Sequence, residues 1–322
     1  MNRSVLFLVL AGALGLSGTV RADAVCREAA TVADAAPSLL PEGHDFRLVW
    51  HDEFDGERLD ETKWNFRTNF WGRRADWFAA PEDGAVTLSN GVVRLGIVRT
   101  ADGTYRSAQL QTAGALWDDL KPGTGHGIVW PFAPRQKPKF THRYGYYECR
   151  AKLQRHAGWW SAFWMQALAN GATLDPRRSG VECDIMESFD PGRYIVHAFH
   201  YNGCGPEYKR FNAQRAPYTP TPDSAWKVNY PITLDAFHVF GLLWEPDGYT
   251  VFVDGRQSGY KVGKVGDEVV SETEEFILVS TELKGFRKDG KPVPEVEAAW
   301  RAGDAFEVDF VRVYDIADEH RD

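Results

Sequence analysis

The sequence predicts an all-β fold, an antiparallel β-sandwich or barrel, on three observations. Short segments rich in Val, Ile, Phe, Tyr and Trp recur along the chain, some with strict two-residue alternation. Turn-forming residues separate them, as at Ser89-Asn90-Gly91 and Asp254-Gly255. Long windows with the apolar period of an amphipathic helix are scarce.

The elements follow in order. Arg3, the apolar run Val5 to Leu16 and the small-residue site Ala22-Asp23-Ala24 read as a secretory signal over residues 1–24. The run is shorter than the ~20 residues of a membrane-spanning helix. Cys26 lies close behind, but Val25 stands where lipid attachment requires a small residue. A free exported protein, periplasmic or extracellular, is therefore expected, with no membrane span once the signal is removed. Removal takes away Arg3, Arg21 and Asp23, and the formal charge goes from -8 to -9. Residues 25–44 read as an N-terminal extension, 45–316 as one domain without a dividing linker, and 317–322 as a tail.

Within the domain, strands are predicted over Phe46 to Trp50, Val86 to Leu88, Val92 to Val98 and Tyr144 to Leu153. In the last, Tyr147, Cys149, Ala151 and Leu153 share one face and Tyr146, Glu148, Arg150 and Lys152 the other. Further strands are Trp160 to Met165, Val181 to Glu187, Tyr194 to Tyr201, Phe237 to Trp244, Tyr249 to Val253, Phe276 to Leu283 and Phe306 to Tyr314.

The acidic balance and the lack of a basic stripe exclude nucleic acid as a partner. The 12 Trp, 12 Tyr and 19 Phe suit both a large core and stacking on sugar rings, so composition alone does not separate these uses. The four cysteines, Cys26, Cys149, Cys183 and Cys204, have no spacing that implies a bridge or metal site. Cys149 and Cys183 read as buried thiols.

Val181 to Glu187 is the segment that carries chemistry. It places Glu182, Asp184 and Glu187 in a strand that otherwise reads as buried, where unpaired carboxylates are costly. Glu182 and Asp184 share a face, whereas Glu187 has the wrong parity. One extra residue, a β-bulge near Met186, brings all three onto one face. Glu182 and Glu187 are then roughly 13 Å apart at the backbone. Their side chains can close toward the ~5–5.5 Å of a retaining glycosidase. The bland alternative is a structural salt-bridge network.

This segment resembles the signature of glycoside hydrolase family 16: Glu, apolar, Asp, apolar, an optional apolar residue, Glu. The resemblance extends to His51-Asp52-Glu53-Phe54-Asp55-Gly56, Leu59-Asp60, Trp64-Asn65, Tyr144-Gly145 with Glu148 and Arg150, Trp160 to Met165, His238 with Gly241 and Trp244, Asp254-Gly255, and Val308 to Tyr314. It implies a curved, concanavalin-like jelly-roll sandwich with a concave substrate cleft. It also implies Glu182 as nucleophile, Glu187 as acid/base and Asp184 as their assistant. Double displacement then requires Glu187 protonated while Glu182 is ionised, and uses no metal or organic cofactor. Laminarinase-like members usually carry Pro where Ser161 stands, and Gly-Glu-Ile for Val181-Glu182-Cys183, so laminarin specificity does not follow.

Four further residues are substrate-binding candidates. Trp160 and Trp164 share a face opposite Phe163 and Met165, and serve as sugar platforms or core fillers. By resemblance His200, with Tyr201, matches a His-aromatic pair beside the acid/base; a scaffold role is the alternative. His197 has core parity and is not a candidate. By the same resemblance Glu282 faces the cleft, where other members commonly carry a small residue; otherwise it is a solvated acid near Lys284. Glu53 and Asp309 occupy stretches where some members build a structural calcium site. The basic group Arg135, Lys137, Lys139, His142 and Arg143 reads as a solvated loop. The expected protein is a monomeric, secreted, retaining endo-β-glycoside hydrolase on a β-glucan or β-galactan polysaccharide. A transglycosylase and a non-catalytic carbohydrate-binding sandwich are the alternatives.

Overall fold

The computed structural model describes residues 24–68, 77–114, 116–117, 133–134, 137–169, 176–201, 232–263, 270–285 and 291–317. All of the signal segment but Ala24, and most of the C-terminal tail, lie outside the described residues. The strands are β1 Cys26–Ala29, β2 Ser38–Pro41, β3 Phe46–Asp52, β4 Asn65–Phe66, β5 Val86–Ser89, β6 Val92–Gly96, β7 Val98–Arg99, β8 Tyr105–Arg106, β9 Gln109–Gln111, β10 Leu116–Trp117 and β11 Ala133–Pro134. They continue as β12 Gly145–Lys152, β13 Trp159–Ala167, β14 Val181–Asp190, β15 Tyr194–Tyr201, β16 His238–Glu245, β17 Gly248–Val253, β18 Arg256–Gly263, β19 Glu275–Leu283 and β20 Ala305–Ile316.

Two antiparallel sheets form the sandwich. The outer sheet runs β18-β17-β16-β12-β20-β6-β5, with β3 also paired to β20. The inner sheet runs β15-β14-β13-β19-β9-β4. Alternation dictates what lies between them. Tyr147, Cys149, Ala151, Leu242, Trp244, Val251 and Val311 of the outer sheet meet Phe163, Met165, Cys183, Ile185, Phe199, Ile277 and Val279 of the inner one. Each fully buried Val, Leu, Ile, Phe or Met side chain among them contributes about 1.5–3 kcal/mol.

The predicted strand Val92 to Val98 is broken in two. Ile97 leaves the ladder to join a satellite cluster with Trp159, Leu283, Val296 and Ala299. The last two belong to the short helix Glu295–Arg301, too short to give a periodic signal.

The second face of β12 is covered as well. The β1/β2 hairpin lays Leu40 against Tyr146, Leu243, Phe252 and Tyr314. The N-terminal extension is therefore packed onto the sandwich. Glu148 Oε1 accepts the Leu39 N–H at 2.6 Å, and burial pushes this carboxyl up to about 7. Arg312 clamps the hairpin from below: it donates to both oxygens of Glu53 at 2.9 and 2.7 Å and to Ser38 Oγ at 2.6 Å.

Gly145 opens β12 at φ +94, and a Cβ there would lie 2.1 Å from the Tyr314 carbonyl oxygen. That oxygen belongs to the paired strand and cannot swing away as a side chain could. Gly145→Ala should therefore destabilise the fold by roughly 2–4 kcal/mol. Denaturant unfolding would measure it, and wild-type stability would refute the account.

Candidate active site

The inner sheet has one face toward the core and one away from it. Phe163 and Met165 are in the core, so Trp160, Ala162, Trp164 and Gln166 of β13 point to the open face. On β14 Cys183 is in the core, so Glu182 and Asp184 point outward.

The ladder then carries a bulge. Met186 pairs with Phe163 and Asp184 with Trp164, so Ile185 is the extra residue. This is one position before the predicted site. Beyond it, Glu187 pairs with Ala162 and shares its outward face. Glu182, Asp184 and Glu187 thus stand on one face of one strand. Asp184 is buried, and the two glutamates are half-buried.

Neighbouring strands complete the surface. Trp160 pairs with Glu282 and Ala162 with Ser280 on β19. Trp164 Nε1 donates to Ser280 Oγ at 2.9 Å, and Trp160 packs on Phe189 with ring centroids 5.4 Å apart. Trp160 and Trp164 are only 8% and 5% exposed, yet neither belongs to the inter-sheet core. Glu282 is 6% exposed, which removes the reading of a solvated strand-end acid. Lys284, its sequence neighbour, donates to the Phe189 carbonyl. On β15 His200 stands opposite Glu182, with its side chain outside the described residues.

Three residues that bond one of the acids, its partner or the bulge between them were not among the candidates. Gln166 Nε2 donates to Glu182 Oε2 at 2.9 Å, and Gln166 Oε1 accepts from Arg67 Nη1 at 3.0 Å. The arginine fixes which way the amide faces, so that its N–H₂ end meets the carboxylate. Arg67 also lies 5.9 Å from the Trp164 ring centroid. The third is His197, whose Nδ1 donates to the Ile185 carbonyl at the bulge. Gln166 and His197 carry a readable signal, a polar residue within an apolar strand. Arg67 carries none, because only the pairing of β4 with β9 brings it there.

The model of Glycosyl hydrolases family 16 matches residues 74–262, more than half of the 322-residue chain and the stretch that holds all three acids. The chain belongs to glycosyl hydrolases family 16. Among relatives, glucan endo-1,3-beta-glucosidase A1 of Niallia circulans is 24% identical over 286 residues, covering 83% of this chain and 37% of its own length. The chain thus spans little more than a third of that relative. Glucan endo-1,3-beta-glucosidase of Cryptopygus antarcticus is 25% identical, covering 82% of this chain and 90% of its own. Beta-porphyranase E of Zobellia galactanivorans is 28% identical, with 67% and 69% covered. The solved laminarinase of Rhodothermus marinus shares the fold, with a TM-score of 0.61 at 20% identity, covering 86% of this chain and 100% of that one.

This family 16 chain departs from the laminarinase-like pattern at Ser161, Val181 and Cys183, and all three lie on the core side. Ser161 Oγ donates to Gln154 Oε1 at 2.6 Å, and Gln154 Nε2 donates to the Ser188 carbonyl at 2.7 Å. Val181 and Cys183 join the core. These changes alter packing beneath the acids rather than the open face.

The calcium candidates both hold arginines. Glu53 pairs with Arg312, and Asp309 with Arg150 at 2.5 Å. Among the described residues no group of three or more His, Cys, Asp or Glu is placed to hold a metal ion. Three members of the basic group bond to the scaffold, and Lys137 is exposed: Lys139 donates to the Glu61 and Trp64 carbonyls, His142 bonds Asp315, and Arg143 donates to the Glu272 carbonyl. Arg135 lies outside the described residues. Cys26, Cys149 and Cys183 are free thiols, and Cys204 lies outside the described residues.

Proposed function

We propose that this chain is a retaining, endo-acting β-glycoside hydrolase that cleaves a β-glucan or β-galactan by double displacement. The observation that carries the reading is the bulge at Ile185, which gives Glu182, Asp184 and Glu187 one common face. Ionised Glu182 attacks the anomeric carbon while Glu187 protonates the departing glycosidic oxygen. Glu187 then takes a proton from water, which displaces Glu182 and restores the original configuration. Asp184 stands between them and orients the nucleophile. The hydrogen bond from Gln166 favours the charged form of Glu182.

Trp160 and Trp164 form the sugar platform, Glu282 accepts a sugar hydroxyl beside Trp160, and His200 lies at the Glu182 end. The reaction uses no metal or organic cofactor, and any calcium at Glu53 and Asp309 is structural. The relatives named as glucan endo-1,3-beta-glucosidases support a β-glucan, and a keratan-sulfate endo-1,4-beta-galactosidase of Sphingobacterium multivorum, 22% identical, supports a β-galactan. The signal pattern supports export. No helix among the described residues is long and apolar enough to cross a membrane. Val25 is the exposed large apolar side chain among the described residues, which favours a monomer.

The test is reducing-end release from laminarin, lichenan, agarose and porphyran, with proton NMR of the early product. New reducing ends that appear first as the β-anomer are expected. First release of the α-anomer would refute the mechanism. Redistribution of chain length without new ends would make it a transglycosylase, and retention without either a binding protein.

A further inference from the structure

We propose that His197 is a positioning residue: its imidazole pins the bulge at Ile185 and so sets the spacing of Glu182, Asp184 and Glu187. The inference rests on the reading of those acids as the catalytic group.

On β15, Val196 pairs with Glu187 and Ala198 with Asp184. His197 therefore opposes two residues, Ile185 and Met186, which is the two-against-one arrangement of a bulge. A bulge takes one peptide out of the ladder. The Ile185 residue is fully buried, so its carbonyl has no water to turn to and needs a partner from the protein. His197 supplies it through Nδ1. The neighbours on its strand face, Ile195 and Phe199, belong to the inter-sheet core, and His197 is itself 0% exposed. A polar ring at this position serves no packing need that Leu or Phe would not meet.

The geometry also fixes the tautomer. Nε2 is buried and has no hydrogen-bond partner among the described residues. A proton there would be an unsatisfied donor, and the bare Nδ1 would face the Ile185 oxygen lone pairs. The proton therefore sits on Nδ1. Burial, which pushes this imidazole down to about 4, keeps it neutral.

Without the pin, the strand gains by closing the bulge and recovering a regular ladder. A one-residue change of register turns side chains to the opposite face. Glu187 would turn toward the core, or Glu182 and Asp184 would. The same three acids would remain in the sequence without a common face.

Two variants and one spectrum test this. His197→Leu keeps the bulk and removes the donor. His197→Asn places an amide N–H₂ where Nδ1 was. Activity is read on whichever polysaccharide of the panel the wild type cleaves fastest, with Glu182→Gln run beside them. His197→Leu should lower kcat about 10²-fold with KM nearly unchanged. His197→Asn should recover most of it. In ¹⁵N-histidine spectra at pH 7, the signal lost in His197→Leu should be the neutral Nδ1–H tautomer. An Nε2–H tautomer, wild-type kcat in His197→Leu, or an Asn variant no better than Leu would overturn the proposal. A fully active Glu182→Gln would instead overturn the catalytic reading. The tautomer is read without activity, so it tests the pin even if that happens, and the signal lost in His197→Asn assigns it should His197→Leu fail to fold.

Discussion

Glu182→Gln is expected to lower hydrolysis by roughly four orders of magnitude or more while the sandwich stays folded. An amide matches the carboxylate in shape but cannot form the glycosyl ester. The side chain is half-buried and accepts a hydrogen bond from Gln166 Nε2 at 2.9 Å. The introduced amide oxygen can accept the same bond, so the structural loss should stay near 1 kcal/mol. Reducing-end release measures the first effect and thermal unfolding by circular dichroism the second. Wild-type turnover, with contaminating enzyme excluded, would remove Glu182 from the mechanism. A variant that is inactive because it is unfolded would show in the melting curve.

The Arg67–Gln166–Glu182 chain gives this variant a further use. Arg67 is buried and holds the Gln166 amide in one orientation. That orientation presents a donor to position 182, which suits a carboxylate better than an amide. The arrangement thus favours negative charge at the atom proposed to attack. It is built entirely from neutral and cationic groups, so it adds no negative charge beside Glu182.

Most of the sandwich was legible because alternation is local. The parity of Tyr147 and Cys149, or of Phe163 and Met165, is written in adjacent residues, and these side chains do meet in the core. The acids were legible for the same reason: Glu187 has the wrong parity for a regular strand, so a common face needs a bulge, and the ladder carries one. Its position was not legible to the residue. Whether Ile185 or Met186 is extra depends on the partner strand, where His197 selects the Ile185 carbonyl. The cover on Tyr146 and Glu148 was hidden too. Their face alternates as a solvated one would, and only the hairpin carrying Leu39 and Leu40 buries it. Arg67 and Gln166 meet across 99 positions of sequence, a separation that no periodicity encodes.

Glu187→Gln should behave differently from Glu182→Gln, and the difference separates the two roles. On a polysaccharide the departing group is a sugar alkoxide, a poor leaving group that needs the proton. Loss of the donor should lower kcat by about 10²–10⁴-fold. On an aryl glycoside with an acidic phenol, departure needs no proton, and the first step should proceed at a near-normal rate. The second step then suffers, because no base deprotonates the incoming water. The glycosyl-enzyme on Glu182 should therefore accumulate. A burst of phenol equal to the enzyme concentration should precede slow turnover, and intact-protein mass spectrometry should show the added glycosyl mass. The introduced amide faces away from the core, opposite Ala162, so the fold should be unaffected. Equal losses on both substrate classes, with no burst and no adduct, would mean that Glu187 does not handle the proton. The shared face at the bulge would then be structural, and the acid would have to be sought among the other carboxyls of that surface, Glu282 first.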